Sequence, residues 1–312
     1  MHRILFRWLV GAVPVVFGVT VLTFVLTTLV PGDPGRTILG ANASPAQVRA
    51  LDARLGLDHP LPVRYGDWLA DAVRGDLGSS LTSGVPVSDQ LTSRLGVTLS
   101  LIGGAILVAA VAGVALGVLS ALRGGLLGRA VDGVALIGLA VPNFWFGLVL
   151  MTAFAVRLPV FPATGYVPFG DSPVQWFQSL VLPVLTLGVP ATAPVAKQTR
   201  DSVLTQLNRD YVRVLRARGI PERSVLLRHV LRNAAAPIVT VLGVVVVTLF
   251  GGTVLAETLF VMPGLGGLAV TAATTQDIPT VQGVALVFTV AVMLINLLIE
   301  VVYTMLNPKV RT

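Results

Sequence analysis

The chain contains no cysteine, which removes disulfides, iron–sulfur clusters and thiol catalysis from consideration. Charge is scarce: 12% of its 312 residues are Asp, Glu, Lys or Arg, against 54% hydrophobic ones, far from the make-up of a soluble domain. Its three histidines, His2, His59 and His229, lie far apart with no spacing suited to a metal. No G-x-x-x-x-G-K-[ST] phosphate loop occurs, so no nucleotide binds by that route. The run from Gly264 to Gly267 follows no strand of a βαβ unit and reads as a turn. Nothing among these residues makes an active site; the chain reads as no enzyme, with no bound metal or cofactor.

What is present is apolar sequence in long pieces. Six windows hold no Asp, Glu, Lys or Arg: Trp8 to Gly32, Gly96 to Leu122, Gly133 to Val156, Ser172 to Ala196, Asn233 to Ala256 and Ile278 to Ile299. A helix takes around 20 residues to cross about 30 Å of hydrocarbon, and each window is long enough. The expected fold is an all-α membrane protein with six transmembrane helices. The first window is too long for the apolar core of a signal peptide and has no small-residue cleavage site, which predicts a retained anchor. The chain divides into residues 1–30 with the first helix, a sizeable polar segment at 31–95, and a five-helix core at 96–312.

Basic residues set the orientation. With the N-terminus inside, the cytoplasmic pieces are the start with Arg3 and Arg7, the turn with Arg123 and Arg129, the stretch 197–232, and the tail with Lys309 and Arg311. The outside pieces are Pro31 to Arg94, Arg157 to Asp171 and Glu257 to Asp277, the last without Lys or Arg. This predicts N-in, C-in. Thr258 to Gln276 is also uncharged, but Met262-Pro263-Gly264-Leu265-Gly266-Gly267 interrupts it, and a seventh crossing would put Lys309 and Arg311 outside. A loop or re-entrant segment is expected there.

The stretch Lys197 to Arg232 holds nine Lys/Arg against three acids, nearly all of the chain's formal +7. Each Arg or Lys forced to the bilayer centre costs about 2.5–3.5 kcal/mol, so this stretch lies outside lipid. Asp210 to Arg218 contains good helix formers and ends at Gly219, a natural residue after a helix end. Pro221 suits the first turn of a second helix, with Glu222 at its positive end. On that helix Leu226, Leu227, Val230 and Leu231 share one face, and Arg228, His229 and Arg232 the other. Helix, Gly-Pro corner, helix is the expected shape. It suits either an amphipathic pair on anionic headgroups or a docking element for a cytoplasmic partner.

The polar segment Pro31 to Arg94 mixes six Arg with seven Asp and reads as a small folded cap, either a docking platform beside an external gate or a structural lid. Asn143, Trp145, Asn296 and the Thr residues of the fifth helix are candidates to line a passage, because polar groups within spans face protein or water. Asn296 equally suits a bond between helices, and Gly113-x-x-x-Gly117 suits close helix packing. Glu257 and Asp277 bound an external loop, where they either attract a cationic peptide terminus or mark the membrane edge. A secondary transporter or channel is the competing class, but the chain shows no clear internal repeat and no mid-span carboxylate. A membrane scaffold would share the topology and leave the basic corner unexplained.

The string Asp210-Tyr211-Val212-Arg213, Arg216-Ala217-Arg218-Gly219, Leu226-Leu227-Arg228-His229 and Arg232-Asn233-Ala234 up to Pro237 resembles the cytoplasmic loop of dipeptide/oligopeptide ABC importer permeases, specifically the B-type subunit. Pro31-Gly32-Asp33-Pro34, Leu55-Gly56-Leu57-Asp58, Gly75-Asp76-Leu77-Gly78, Pro142-Asn143-Phe144-Trp145, Pro263-Gly264-Leu265-Gly266 and Asn307-Pro308-Lys309 extend the likeness over almost the whole chain. One departure stands out. Where the wider importer family carries Glu-Ala-Ala before the glycine, this chain has Arg213, Val214 and Leu215.

The resemblance implies a type I importer transmembrane domain in a multi-pass bacterial or archaeal cell membrane. It implies a second homologous permease as heterodimer partner, two ATP-binding subunits that use ATP and Mg, surrounding lipid, an external substrate-binding protein and a peptide substrate, with no nucleic acid. Arg213, Arg216, Arg218, Gly219, Ile220, Pro221, Glu222, Arg223 and His229 would form the coupling helix region. Glutathione, nickel complexes and haem-like cargo are alternatives within the same branch.

Overall fold

The computed structural model describes residues 2–29, 34–40, 42–126, 128, 130, 133 and 141–306. They form eleven named helices and no strand among the described residues. α1 is His2–Leu29, α2 Pro34–Leu39, α3 Pro45–Arg54, α4 Leu61–Val73, α5 Val87–Arg123 and α6 Asn143–Met151. α7 is Pro173–Leu207, α8 Asp210–Ala217, α9 Leu231–Leu259, α10 Leu265–Thr274 and α11 Ile278–Leu306.

Among the described residues five helices are long and apolar enough to cross a membrane: Trp8–Leu29, Val87–Arg123, Pro173–Leu207, Glu222–Leu259 and Ile278–Met305. The window expected at Gly133 to Val156 falls partly outside the described residues; its described part is α6 with a π turn at Thr152–Arg157. Asp33 and the Arg129, Lys309 and Arg311 of the orientation argument, with the Asn307-Pro308-Lys309 tail, also lie outside. α10 has ten residues. At about 1.5 Å per residue it is half a bilayer long, too short to span.

The chain packs as two compact units, Met1–Thr98 with Pro263–Met293, and Leu99–Met262 with Leu294–Thr312. In the first, α2, α3 and α4 fill much of the polar segment expected as a cap. Ser44 starts α3 with a capping box: its Oγ accepts from Gln47 N–H at 3.3 Å, and Gln47 Oε1 accepts from Ser44 N–H at 2.9 Å. α4 lies on α1 through Tyr65, whose ring meets Phe17 and Phe24 edge-on at 6.0 and 5.5 Å. The unit's apolar centre joins Val87 and Leu91 of α5, Leu265 and Leu268 of α10 and Val284 of α11. The amide of Leu265 donates to Thr98 Oγ1 at 2.9 Å, supplying a partner to an otherwise orphan donor at the start of α10.

In the second unit α7 is the central helix. Small residues let α5 approach it closely: a methyl group at Gly117 would stand 2.5 Å from the Ala196 carbonyl oxygen, and one at Gly113 2.7 Å from Val195. The Gly113-x-x-x-Gly117 spacing therefore serves helix packing. α7 also buries Leu182, Leu187 and Val203.

Candidate functional site

The basic stretch is not a free loop. Its first part, to Leu207, is the end of α7, and its last part runs into α9 through one helical turn at Glu222–Ser224 and a π turn at Val225–Val230. Between them α8 turns back. Asp210 stands in the first turn of α8, where a carboxylate favours the helix dipole, and lies 3.5 Å from Arg213 on the surface.

α8 ends in a Schellman motif. Ile220 N–H donates to Leu215 O at 3.2 Å and Gly219 N–H to Arg216 O at 2.9 Å, with Gly219 at φ 74°. A methyl group at Gly219 would meet nothing within 4 Å. The glycine is demanded by backbone conformation, and the space beside it is open. Pro221 then starts the next turn at φ −55°.

The expected apolar face of the second helix is corrected by the structure. A π turn bonds residue i to i+5 where an α-helix bonds i to i+4, which widens the turn and breaks the 3.6-residue period; Val225 and Val230 are both fully buried, while Leu227 is 51% exposed. Leu226, Leu231 and His229 are half-buried, so His229 does not lie on an opposite, open face.

Two side-chain ties hold the corner. Arg216 forms a two-pronged pair with Glu222 across Gly219, and this hydrogen-bonded guanidinium holds the Glu222 carboxyl below the usual carboxylate range while the Arg216 pKa rises. Both residues precede the uncharged window that begins at Asn233. The Tyr211 hydroxyl donates to Gln206 Oε1 at 3.1 Å and accepts from Asn233 Nδ2 at 3.3 Å. It thereby joins α7, α8 and α9. Around this frame Arg213, Arg218, Pro221, Arg223 and Arg228 are exposed, together with Val214; Ile220 and Leu215 are half-buried.

The candidate passage residues separate. Asn143 is half-buried at the start of α6, Trp145 two residues on is 54% exposed, and Asn296 is exposed on α11. Glu257 is buried in the last turn of α9. Asp277 belongs to the other unit and is a structural hub. It accepts from Ser80 Oγ, from Leu81 N–H at 3.0 Å and from Thr280 Oγ1 at 2.8 Å. Pattern reading placed Asp277 at a loop edge and missed this role, because Ser80 lies 197 positions away in the chain. The Tyr211 bracket was missed for a related reason: a lone tyrosine in a helix carries no signal for the two polar residues that flank it in space.

The comparisons with known proteins agree with this architecture. Residues 113–312 match the family described as binding-protein-dependent transport system inner membrane component, and residues 1–102 match its N-terminal region. A chain of Brucella abortus (strain 2308), named for a peptide transport system permease, is 39% identical over 312 residues, covering 100% of this chain and 99% of that one. A glutathione transport system permease of Escherichia coli O6:H1 is 37% identical over 312 residues, covering 100% and 99%. A permease of Escherichia coli K12 named for D,D-dipeptide transport is 37% identical over 322 aligned residues, covering 96% and 95%. Among solved structures, an inward-facing MetNI methionine ABC transporter chain matches with a TM-score of 0.55 at 17% identity, over 70% of this chain and 96% of that one. That likeness concerns the fold. On the family match and the full-length relatives together, the chain belongs to the binding-protein-dependent transport system inner membrane components.

Proposed function

We propose that the chain is one of two membrane-spanning subunits of an ATP-driven importer that carries di- or oligopeptides handed over by an external binding protein. Family membership supports the transport role, and the names of the full-length relatives favour peptide cargo; glutathione is itself a tripeptide. The observation that carries the coupling role is the corner at Gly219. It is capped, clamped by Arg216 and Glu222, tied to both flanking long helices by Tyr211, and ringed by exposed arginines with open space beside it. A rigid lever of this kind transmits a push from a docked subunit into α7 and α9, the rigid-body change that alternating access needs.

In this reading the corner faces the cytoplasm and seats in an acidic groove of an ATPase subunit. Arg213, Arg218 and Arg223 supply the charge complement, and ATP and Mg are used by that partner. The experiment replaces Gly219 with Trp in the assembled complex and measures uptake, ATP hydrolysis and assembly separately. Loss of uptake is the expected result; normal uptake with normal assembly refutes the docking role. Uptake of defined di-, tri- and oligopeptides in a strain lacking this subunit, with and without the gene restored, decides the cargo.

A further inference from the structure

In the unit formed by Met1–Thr98 and Pro263–Met293, a cavity of ≈ 390 Å³ opens between the end of α1, the α3–α4 corner and the first turn of α11. Its wall includes Phe24, Arg54, His59, Arg64, Asp67 and Trp68: two guanidiniums and an imidazole against one carboxylate. Arg64 is half-buried, with its guanidinium carbon 5.8 Å from the centre of the Phe24 ring. Burial lowers its pKa and the Asp52 carboxylate offsets that only in part. The indole N–H of Trp68, in the same wall, is buried with no hydrogen-bond acceptor among the described residues. A half-buried guanidinium, a second one at Arg54 and an unpaired indole N–H, all hydrogen-bond donors, thus line the same space.

The depth of the cavity follows from α4. The Tyr65 hydroxyl lies 2.9 Å from Thr20 Oγ1, and α1 runs on from Thr20 to Leu29. At 1.5 Å per residue, α4 thus lies beside roughly the last 14 Å of an apolar span. The neighbouring surface of α1 is apolar and exposed, with Leu22, Val25, Leu26 and Leu29 all uncovered. A cationic pocket next to an acyl-chain surface sits where headgroups meet hydrocarbon.

We propose that this cavity holds the phosphate of a phospholipid headgroup, with Arg64 and Arg54 as its cationic ligands and the acyl chains lying along α1. Guanidinium and phosphate pair through two parallel hydrogen bonds, and a phosphate brought beside Arg64 restores the solvation that burial removes. Inorganic phosphate shares this chemistry and is the other source of such an anion. An acidic side chain of a protein partner would answer the charge but leave the α1 surface unused.

The test strips lipid from the purified full-length chain in detergent, adds phosphatidylglycerol, and counts retained lipid by native mass spectrometry. One tightly held lipid is expected. Arg64→Gln weakens retention about tenfold or more, the scale of losing a charge-assisted hydrogen bond. Arg54→Gln, at the exposed rim where folding is not at stake, weakens it several-fold, and Arg49→Gln, an exposed α3 cation outside the cavity, leaves it unchanged. Competition with inorganic phosphate assigns the source: resistance supports the lipid, and stoichiometric displacement supports the phosphate site with free phosphate as occupant. Retention unaltered in both Arg64→Gln and Arg54→Gln overturns the proposal, as does a chain that retains neither probe.

Discussion

Arg216 and Glu222 grip the Gly219 corner from its two sides, with Arg216 Nε–H donating to Glu222 Oε2 at 3.0 Å and Nη2–H to Oε1 at 2.5 Å. The pair closes a ring over the five residues from Ala217 to Pro221. It braces the bend made by glycine and proline between α8 and the turn at Glu222–Ser224.

The pair carries a pH signature. Glu222 titrates below its ordinary value because Arg216 hydrogen-bonds its charged form. The stability it adds is therefore fully present above the ordinary carboxylate range and lost as pH falls through the lowered pKa. Thermal unfolding of wild type against Glu222→Gln, followed from neutral to acid pH, should show a gap that is constant near neutrality and closes only in acid. The gap is small, because both side chains are exposed.

At Gly219 strain and docking are separable. The φ of 74° penalises any residue with a side chain, least so asparagine, and nothing in the chain crowds the position. Gly219→Ala should cost about 1 kcal/mol of stability and Gly219→Asn less. Uptake lost by both variants to the same degree, against unequal unfolding temperatures, would trace the defect to the partner's groove.

Asp277 discriminates a gate from a brace. Asp277→Ala takes the acceptor from the Leu81 amide and the Thr280 hydroxyl and leaves the Ser80 hydroxyl only Thr82 Oγ1, at about 1–3 kcal/mol for each donor left buried and unpaired. Asp277→Asn should also lower the unfolding temperature, since its amide nitrogen cannot accept a bond from a donor. Altered uptake at unaltered unfolding temperature would instead return Asp277 to the gate.

Two glycines of α5 test the helix contact. A methyl group at Gly117 meets the Ala196 carbonyl oxygen and Thr199, whereas one at Gly103 meets nothing within 4 Å. Gly117→Ala should destabilise by about 1–3 kcal/mol through overpacking. Gly103→Ala should stabilise by roughly 0.5–1 kcal/mol through lost chain entropy. Unfolding midpoints in detergent measure both.

Val261 occupies a place where glycine is the usual residue. Its φ is 52°, and Met262 N–H closes the end of α9 on Glu257 O at 2.8 Å. Left-handed backbone costs a β-branched residue about 1–2 kcal/mol, so Val261→Gly should raise the unfolding temperature despite added freedom in the unfolded chain. An unchanged or lower temperature would show the strain to be relieved elsewhere.

The helical class was legible because membrane spans advertise themselves by composition: windows without charge can be read without knowing any contact. The glycine that ends α8 was legible because its signal is local, a helix pattern followed by Gly and Pro. Less could be read where geometry departed from 3.6 residues per turn. Leu227 looked buried beside Leu226, Val230 and Leu231, and the π turn at Val225–Val230 put it outside. The boundary of the second helix was likewise invisible, since nothing in Glu222 to Arg232 announces that it continues into the span.

By itself, then, the sequence determined that this protein is helical, lives in a membrane and carries its charge in a corner built on Gly219, because hydropathy and turn chemistry act over a few residues. Only the tertiary structure decided which polar groups meet: Asp277 with Ser80, Tyr211 with Gln206 and Asn233, Arg64 with the Phe24 ring. Those pairings depend on how distant helices cross, and buried polar groups take whatever partner the packing brings within hydrogen-bond reach.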